Sequence, residues 1–187
     1  YYSFVENPIY VEALEAWAEA QFLETYADVL TSTYVFPEDL TLSMAECGEV
    51  TAYYLPDQRE VVICVEWILA AMDVLASFTT DDAELLTWTE GMVTYAMFHE
   101  IGHALIDIMG LPAVGREEDA ADQLAALILI QSEGGLAHLA AVIGYYMNEG
   151  VKAEAMGQLA VWDEHSLDIQ RAIDMACLLY GAEPIYA

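Results

Sequence analysis

Basic residues are what this chain has least of. Arg59, Arg116, Lys152 and Arg171 stand against 32 acids in 187 residues, a formal net charge of −28. Nucleic acids and anionic membrane surfaces are bound through Lys and Arg, so both partner classes are excluded. Long apolar runs are missing too. Glu66 and Asp73 interrupt one rich segment and His138 a shorter one, leaving no stretch of eighteen uninterrupted apolar residues and no reading as a transmembrane helix. No EF-hand spacing collects the acids into a calcium loop. Glu12, Glu15, Glu19 and Glu24 are scattered as solvated helix faces are, and charge of one sign on this scale suggests adaptation to salt or selection for solubility. Internal repeats and low-complexity linkers are absent. The chain opens at Tyr1 with nothing that reads as a signal peptide, as a mature or trimmed form would.

A hydrophobic content of 57% argues against disorder in spite of the charge. The length suits a single domain over residues 1–187 that buries its own core. Residues 8–30 read as one amphipathic helix. Strands follow between residues 40 and 65, with a hairpin from 49–55 through a Pro56-Asp57-Gln58 turn to 60–65. Helices then run to Tyr180, with breaks predicted near 79–82, 110–115, 134–135 and at Gly150. The fold class is therefore α+β, a small antiparallel sheet near residues 40–65 against a mostly helical body.

Within an apolar-periodic stretch at 92–109 lies the pentad His99-Glu100-Ile101-Gly102-His103, which is HExxH. Residues four apart share a helix face, so the two imidazoles can converge on one metal ion. Glu100 stands beside the first of them, placed to take a proton from a metal-bound water. Zinc suits these donors, and as a Lewis acid it lowers the pKa of that water to about 7. A core helix seldom carries His, Glu and His together amid Met, Phe, Ile and Leu unless something charged binds them.

A catalytic zinc needs a third protein ligand and an open position. The metzincin solution would place Gly and His three and six residues after His103, where Ile106 and Met109 stand, so it is excluded. Residues 117–131 read as a second helix with Glu117, Glu118 and Asp119 in its first turn, as the helix dipole favours. The Glu118-x-x-Ala121-Asp122 segment resembles the gluzincin pattern, in which the Glu is the third zinc ligand and the Asp hydrogen-bonds the first histidine. The resemblance implies a zincin-like fold, Glu118 as ligand and Asp122 as the group that fixes the His99 tautomer. The gap from His103 to Glu118 is short for that class, which keeps Glu117 and Asp119 open as ligands. The chain is still more similar to an uncharacterised bacterial family of metallopeptidases, on HEIGHALID (99–107), GREEDAADQ (115–123), the cysteine pair around the hairpin and DEHSLDIQR (163–171).

Downstream, His165 and Arg171 admit two readings. Either faces the metal and stabilises the oxyanion of a tetrahedral intermediate, or Arg171 closes a structural salt bridge and His165 caps a helix. Ser166 is a further candidate cap. His138 reads as a core or boundary histidine. Cys47 and Cys64 flank the hairpin, either as two buried thiols or as a disulfide, and the family resemblance favours the bridge; a bridge implies an exported protein. Cys177 reads as inert core. An edge strand beside the metal would hold an extended peptide, and Thr51-Ala52-Tyr53-Tyr54 is the candidate. These readings lead to a zinc-dependent hydrolase acting on peptides. A non-catalytic binding protein that keeps a zinc-stabilised fold is the other class.

The charge carries its own test. Raising sodium chloride from about 10 mM to about 1 M shortens the screening length from about 30 to about 3 Å. Self-repulsion is then screened, and the melting temperature at fixed metal content should rise. A flat calorimetric curve would mean that pairing or bound counter-ions already neutralise the repulsion.

Overall fold

The computed structural model describes residues 1–3, 5, 7–159 and 161–182. Among these residues seven helices and three strands follow in the order α1 (Pro8–Glu19), α2 (Phe22–Thr33), β1 (Thr41–Ala45), β2 (Ala52–Leu55), β3 (Glu60–Cys64), α3 (Val65–Leu75), α4 (Asp82–Met109), α5 (Glu117–Gln131), α6 (Gly135–Met156) and α7 (Asp168–Ala182). The α+β class is as the sequence predicts. Residues 8–30, however, form two helices rather than one. The chain leaves the first at Ala20 and turns at Gln21, whose left-handed φ of 53° cannot continue a helix.

The sheet order is β1-β3-β2. The β2–β3 hairpin is antiparallel with Tyr53 opposite Val62, as expected. β1 instead pairs parallel to β3, Met44 opposite Ile63, so the sheet is mixed rather than wholly antiparallel. The outer edge of β1 is taken by the chain's own start, where Ser3 N–H donates to Met44 O and Met44 N–H to Tyr1 O. The outer edge of β2 borders no other strand among the described residues.

One 28-residue helix, α4, organises the body. Asp81 caps its start by accepting from Ala83 and Glu84 N–H. From Thr89 to Gly102 its described residues are buried nearly all round, because β2, β3, α3, α5 and α6 pack against its successive faces. Met92, Val93, Met97 and Ile101 join Met44, Val61, Ile63, Leu75, Leu129, Leu139 and Met175 in one hydrophobic cluster. Gly150 does not break the chain; it lies inside α6. A Cβ there would come within 2.5 Å of Ile169 Cγ1, so the glycine lets α7 cross α6 at close range. His138 is half-buried, as a boundary residue, with its side chain against Gly91. Cys177 is exposed, contrary to the core reading, because α7 buries Ala172 and Met175 on another face.

Cys47 and Cys64 form a disulfide. It fastens the loop after β1 to the junction of β3 and α3, and the Glu66 carboxylate accepts Cys47 and Gly48 N–H at 3.2 and 2.7 Å. Closing a loop of 17 residues' separation restricts the unfolded chain. Replacing both cysteines by Ala should therefore cost roughly 3 kcal/mol in urea unfolding under non-reducing conditions. A cost below about 1 kcal/mol would show that the loop is held by Glu66 and the sheet alone.

Candidate metal centre

The centre is assembled where α5 lies against α4. Gly102, between the two histidines, makes this possible: a Cβ at that position would meet Ala121 Cα at 3.0 Å and Cβ at 3.1 Å. The absence of that methyl lets the first turns of α5 approach the His99 and His103 rings. His99 Nε2 and His103 Nε2 are 3.2 Å apart. Glu118 Oε2 is 3.0 Å from the first and 3.3 Å from the second. Tetrahedral bonds of about 2.0–2.1 Å have an edge of about 3.3 Å, so the three atoms are spaced as ligands of one small cation. Glu117 and Asp119 do not offer a carboxylate there. Glu117 meets the far side of the second ring at 2.8 Å from His103 Nδ1, and Asp119 accepts from Ser166 Oγ at 2.7 Å.

The donor chemistry fits a metal. His99 Nδ1 lies 2.8 Å from Asp122 Oδ1 and His103 Nδ1 lies 2.8 Å from Glu117 Oε1. Ionised carboxylates only accept, so each Nδ1 carries the proton and a neutral ring presents a bare Nε2. Two bare nitrogens and a carboxylate oxygen then face one another with no donor among them. Protons or a cation must lie between. Burial lowers the proton affinity of both rings, but the hydrogen bonds to Asp122 and Glu118 outweigh it at His99 and raise its pKa. Those to Glu118 and Glu117 push His103 up to about 9. Burial raises the Glu118 pKa, yet hydrogen bonds from His103, His165 and His99 hold it far below the usual carboxylate range. A metal ion would take the place of these shared protons.

Behind the rings Asp122 gathers four donors. Oδ1 accepts from Tyr95 Oη at 2.6 Å, from His99 Nδ1 at 2.8 Å and from Arg171 Nη2 at 2.7 Å. Oδ2 accepts from Arg171 Nε at 2.7 Å. The guanidinium also lies over the Tyr146 ring, 4.2 Å from its centroid. Arg171 thus bridges to Asp122 and also lines the cleft that holds His99 and Glu100. Tyr95 and Tyr146 were missed from sequence. The signal for Tyr95 is its spacing of four from His99, which puts both on one face of α4. Tyrosines are common enough in cores for that spacing to have said little.

His165 comes in from the segment before α7, which folds back over α5 and α6. Its Nε2 is 2.8 Å from Glu118 Oε2 and its ring stacks on His99 at 5.8 Å between centroids. His99, Glu118 and His165 therefore also offer three donor atoms within 4.8 Å of one another, a grouping that could hold a metal. Asp163 accepts from His165 N–H at 2.9 Å, and Ser166, rather than capping α7 from its hydroxyl, donates to Asp119 and accepts from Arg116 Nη1 at 3.1 Å.

Glu100 lines, together with His99 and His165, a cleft of ≈ 180 Å³ that extends to Val50, Thr51 and Ala52 at the start of β2. Trp67, Tyr95, Tyr146 and Arg171 line it as well. The carboxylate is 8% exposed, and burial raises its pKa.

Fold and site together define an α+β protein with a partly buried cluster of two histidines and a carboxylate, one of whose histidines, His99, lines a cleft. The chain belongs to the family described as "Putative metallopeptidase", whose model matches residues 2–186. No curated protein and no solved structure matches it. Membership implies a metal and a peptide substrate. Among the described residues no helix is long and apolar enough to cross a membrane.

The helix contact gives a direct test. Gly102→Ala should drive α5 off α4 and weaken metal binding at least tenfold in a chelator competition, with about 1–3 kcal/mol lost from the metal-free fold. Asp122→Asn should weaken metal about ten- to a hundredfold. Unchanged metal affinity in Gly102→Ala would mean that the helix approach does not set the ligand geometry.

Proposed function

We propose that the chain is a zinc-dependent metallopeptidase of gluzincin type, a single zincin-like domain, with His99, His103 and Glu118 as the zinc ligands. The triangle of His99 Nε2, His103 Nε2 and Glu118 Oε2, 3.0 to 3.3 Å on its edges and sharing His99 with the cleft that Glu100 lines, is the observation that carries this reading. Zinc, when bound, supplies Lewis acidity and brings a water's pKa to about 7.

The chain's own residues then divide the work. Asp122 keeps the Nδ1 proton on His99 so that Nε2 stays a ligand, and Tyr95 and Arg171 position Asp122. Arg171 is thus a positioning residue whose charge still lies close to the reacting groups. Glu100, raised in pKa by burial, takes the proton of the attacking water and passes it to the leaving amine. His165 carries its Nε2 beside Glu118, where a protonated ring can donate to a carbonyl oxygen as negative charge develops.

The open edge of β2 supplies the peptide cradle. Cys64 N–H donates to Thr51 O, so by antiparallel alternation Tyr53 and Leu55 pair with β3. Ala52 and Tyr54 then turn their N–H and C=O groups outward, where an extended substrate can add as a strand. The Cys47–Cys64 bridge, on the loop that leads into this wall, supports function outside a reducing compartment, periplasmic or extracellular.

Two variants separate base from ligand. Glu100→Gln should keep stoichiometric zinc yet lose turnover of an unfolded protein substrate by more than a hundredfold. Glu118→Ala should lose the zinc itself, more than Glu117→Ala or Asp119→Ala does. Zinc lost from Glu100→Gln, or Glu117→Ala proving the most damaging of the three acids, would refute the assignment. So would a wild-type protein that holds zinc but turns over no peptide in a library digest, which would leave the binding-protein class standing.

A further inference from the structure

A groove of ≈ 680 Å³ lies away from the metal centre and shares no lining residue with its cleft. Ala13, Ala16 and Trp17 of α1 form one wall, Leu86 and Glu90 of α4 the other, and Leu69 and Met72 of α3 the floor. Its α1 wall runs from Ile9 to Ala20, three turns or about 16 Å. At its mouth Ile9 and Leu86 are 65% and 61% exposed. A continuous apolar surface of this kind, rimmed by polar groups, marks a docking site.

The charge on the rim says what kind of partner fits. Glu12 and Glu90 stand on opposite walls, and neither makes an ion pair among the described residues. No basic residue lines the groove. The chain's four bases are engaged elsewhere: Arg59 with Glu38, Arg116 with Ser166, Lys152 with Glu149 and Arg171 with Asp122. A second copy at −28 would bring repulsion and no basic stripe to the same place, and an anionic lipid surface would be repelled. The small Ala13, Ala16 and Ala20 side chains leave room for a helix to approach α1 closely, as packing at 8–10 Å between axes requires.

We propose that this groove receives an amphipathic helix of a partner protein, its apolar stripe on Ala13, Ala16, Trp17 and Met72 and its Lys or Arg flanks against Glu12 and Glu90. The helix-in-groove mode reads such ligands through anchors at i, i+3 or i+4 and i+7. Three turns of groove suffice for that set.

The test uses the full chain with EDTA present, so that no cleavage intervenes, and a synthetic Leu/Lys helix of about 18 residues with leucines on one face. Calorimetry at about 150 mM sodium chloride should give one site with roughly micromolar affinity. Leu86→Lys and the pair Glu12→Lys with Glu90→Lys, all at exposed positions, should each weaken it at least tenfold with the melting temperature kept. Glu133→Lys, exposed and outside the groove, should leave it within about twofold. Equal binding of a scrambled Leu/Lys peptide, or wild-type binding by the groove variants, would assign the attraction to diffuse surface charge and overturn the proposal. Sedimentation showing a dimer that Leu86→Lys disperses would give the groove to a second copy and overturn it as well. Neither result bears on the metal centre, whose tests read zinc and turnover.

Discussion

Asp122 is one buried carboxylate with four donors on it, and it ties the helical body together at the point where the chemistry is arranged. Tyr95 and His99 reach it from α4, Arg171 reaches it from α7, and α6 contributes Tyr146 under the guanidinium. A carboxylate 7% exposed would be costly to bury alone. Burial raises its pKa, yet hydrogen bonds to His99 and Arg171 hold it well below the usual carboxylate range, so it stays ionised. Breaking one partner from such a buried set costs about 3–5 kcal/mol, because the remaining charge is left uncompensated. The same bonds fix which nitrogen of His99 carries its proton. Packing of four helices and the presentation of a bare Nε2 on His99 are therefore one arrangement.

Much of this was legible where the signal is local. The α5 bounds, Glu117–Gln131, coincide with the predicted helix because acids crowd its first turn and Gly110, Pro112 and Gly115 precede it. The hairpin at residues 52–64 follows from alternation and its Pro-Asp turn, and spacing alone put His99 and His103 on one face. Long-range choices were not legible. Parallel pairing of β1 depends on where a strand lands after a disulfide-held loop, not on its own residues. Gly150 has the composition of a break, but the reason for glycine there is the crossing of α7, which no local pattern announces. The turn at Gln21 likewise lacks a Gly or Pro to mark it.

At the site the same division holds. Residue types and spacing singled out His99, Glu100 and His103, the family resemblance pointed to Glu118 and Asp122, and the structure brings these residues together. For Arg171 the sequence left two roles open, and the distances resolve what it touches: its fork is taken up by Asp122. Tyr95 and Gly102 escaped notice because each does its part through a neighbour. The tyrosine hydroxyl holds a carboxylate that holds a histidine, and the glycine acts by what it omits.

The shortage of bases then acquires a structural meaning. One of the four, Arg171, is spent inside on Asp122, while Arg59, Arg116 and Lys152 each find a polar partner at the surface. No cation is left to offset the remaining acids, so the potential around the whole molecule is negative. Such a field raises the local concentration and encounter rate of positive ligands and holds off negative ones, most strongly at low salt. It acts alike on the metal ion that His99, His103 and Glu118 would hold, on basic segments approaching the β2 edge, and on a cationic helix at the α1–α4 groove. Were both proposed openings used, charge would not separate their ligands and shape would have to: a small cleft beside β2 at one, and an apolar trough three helical turns long at the other.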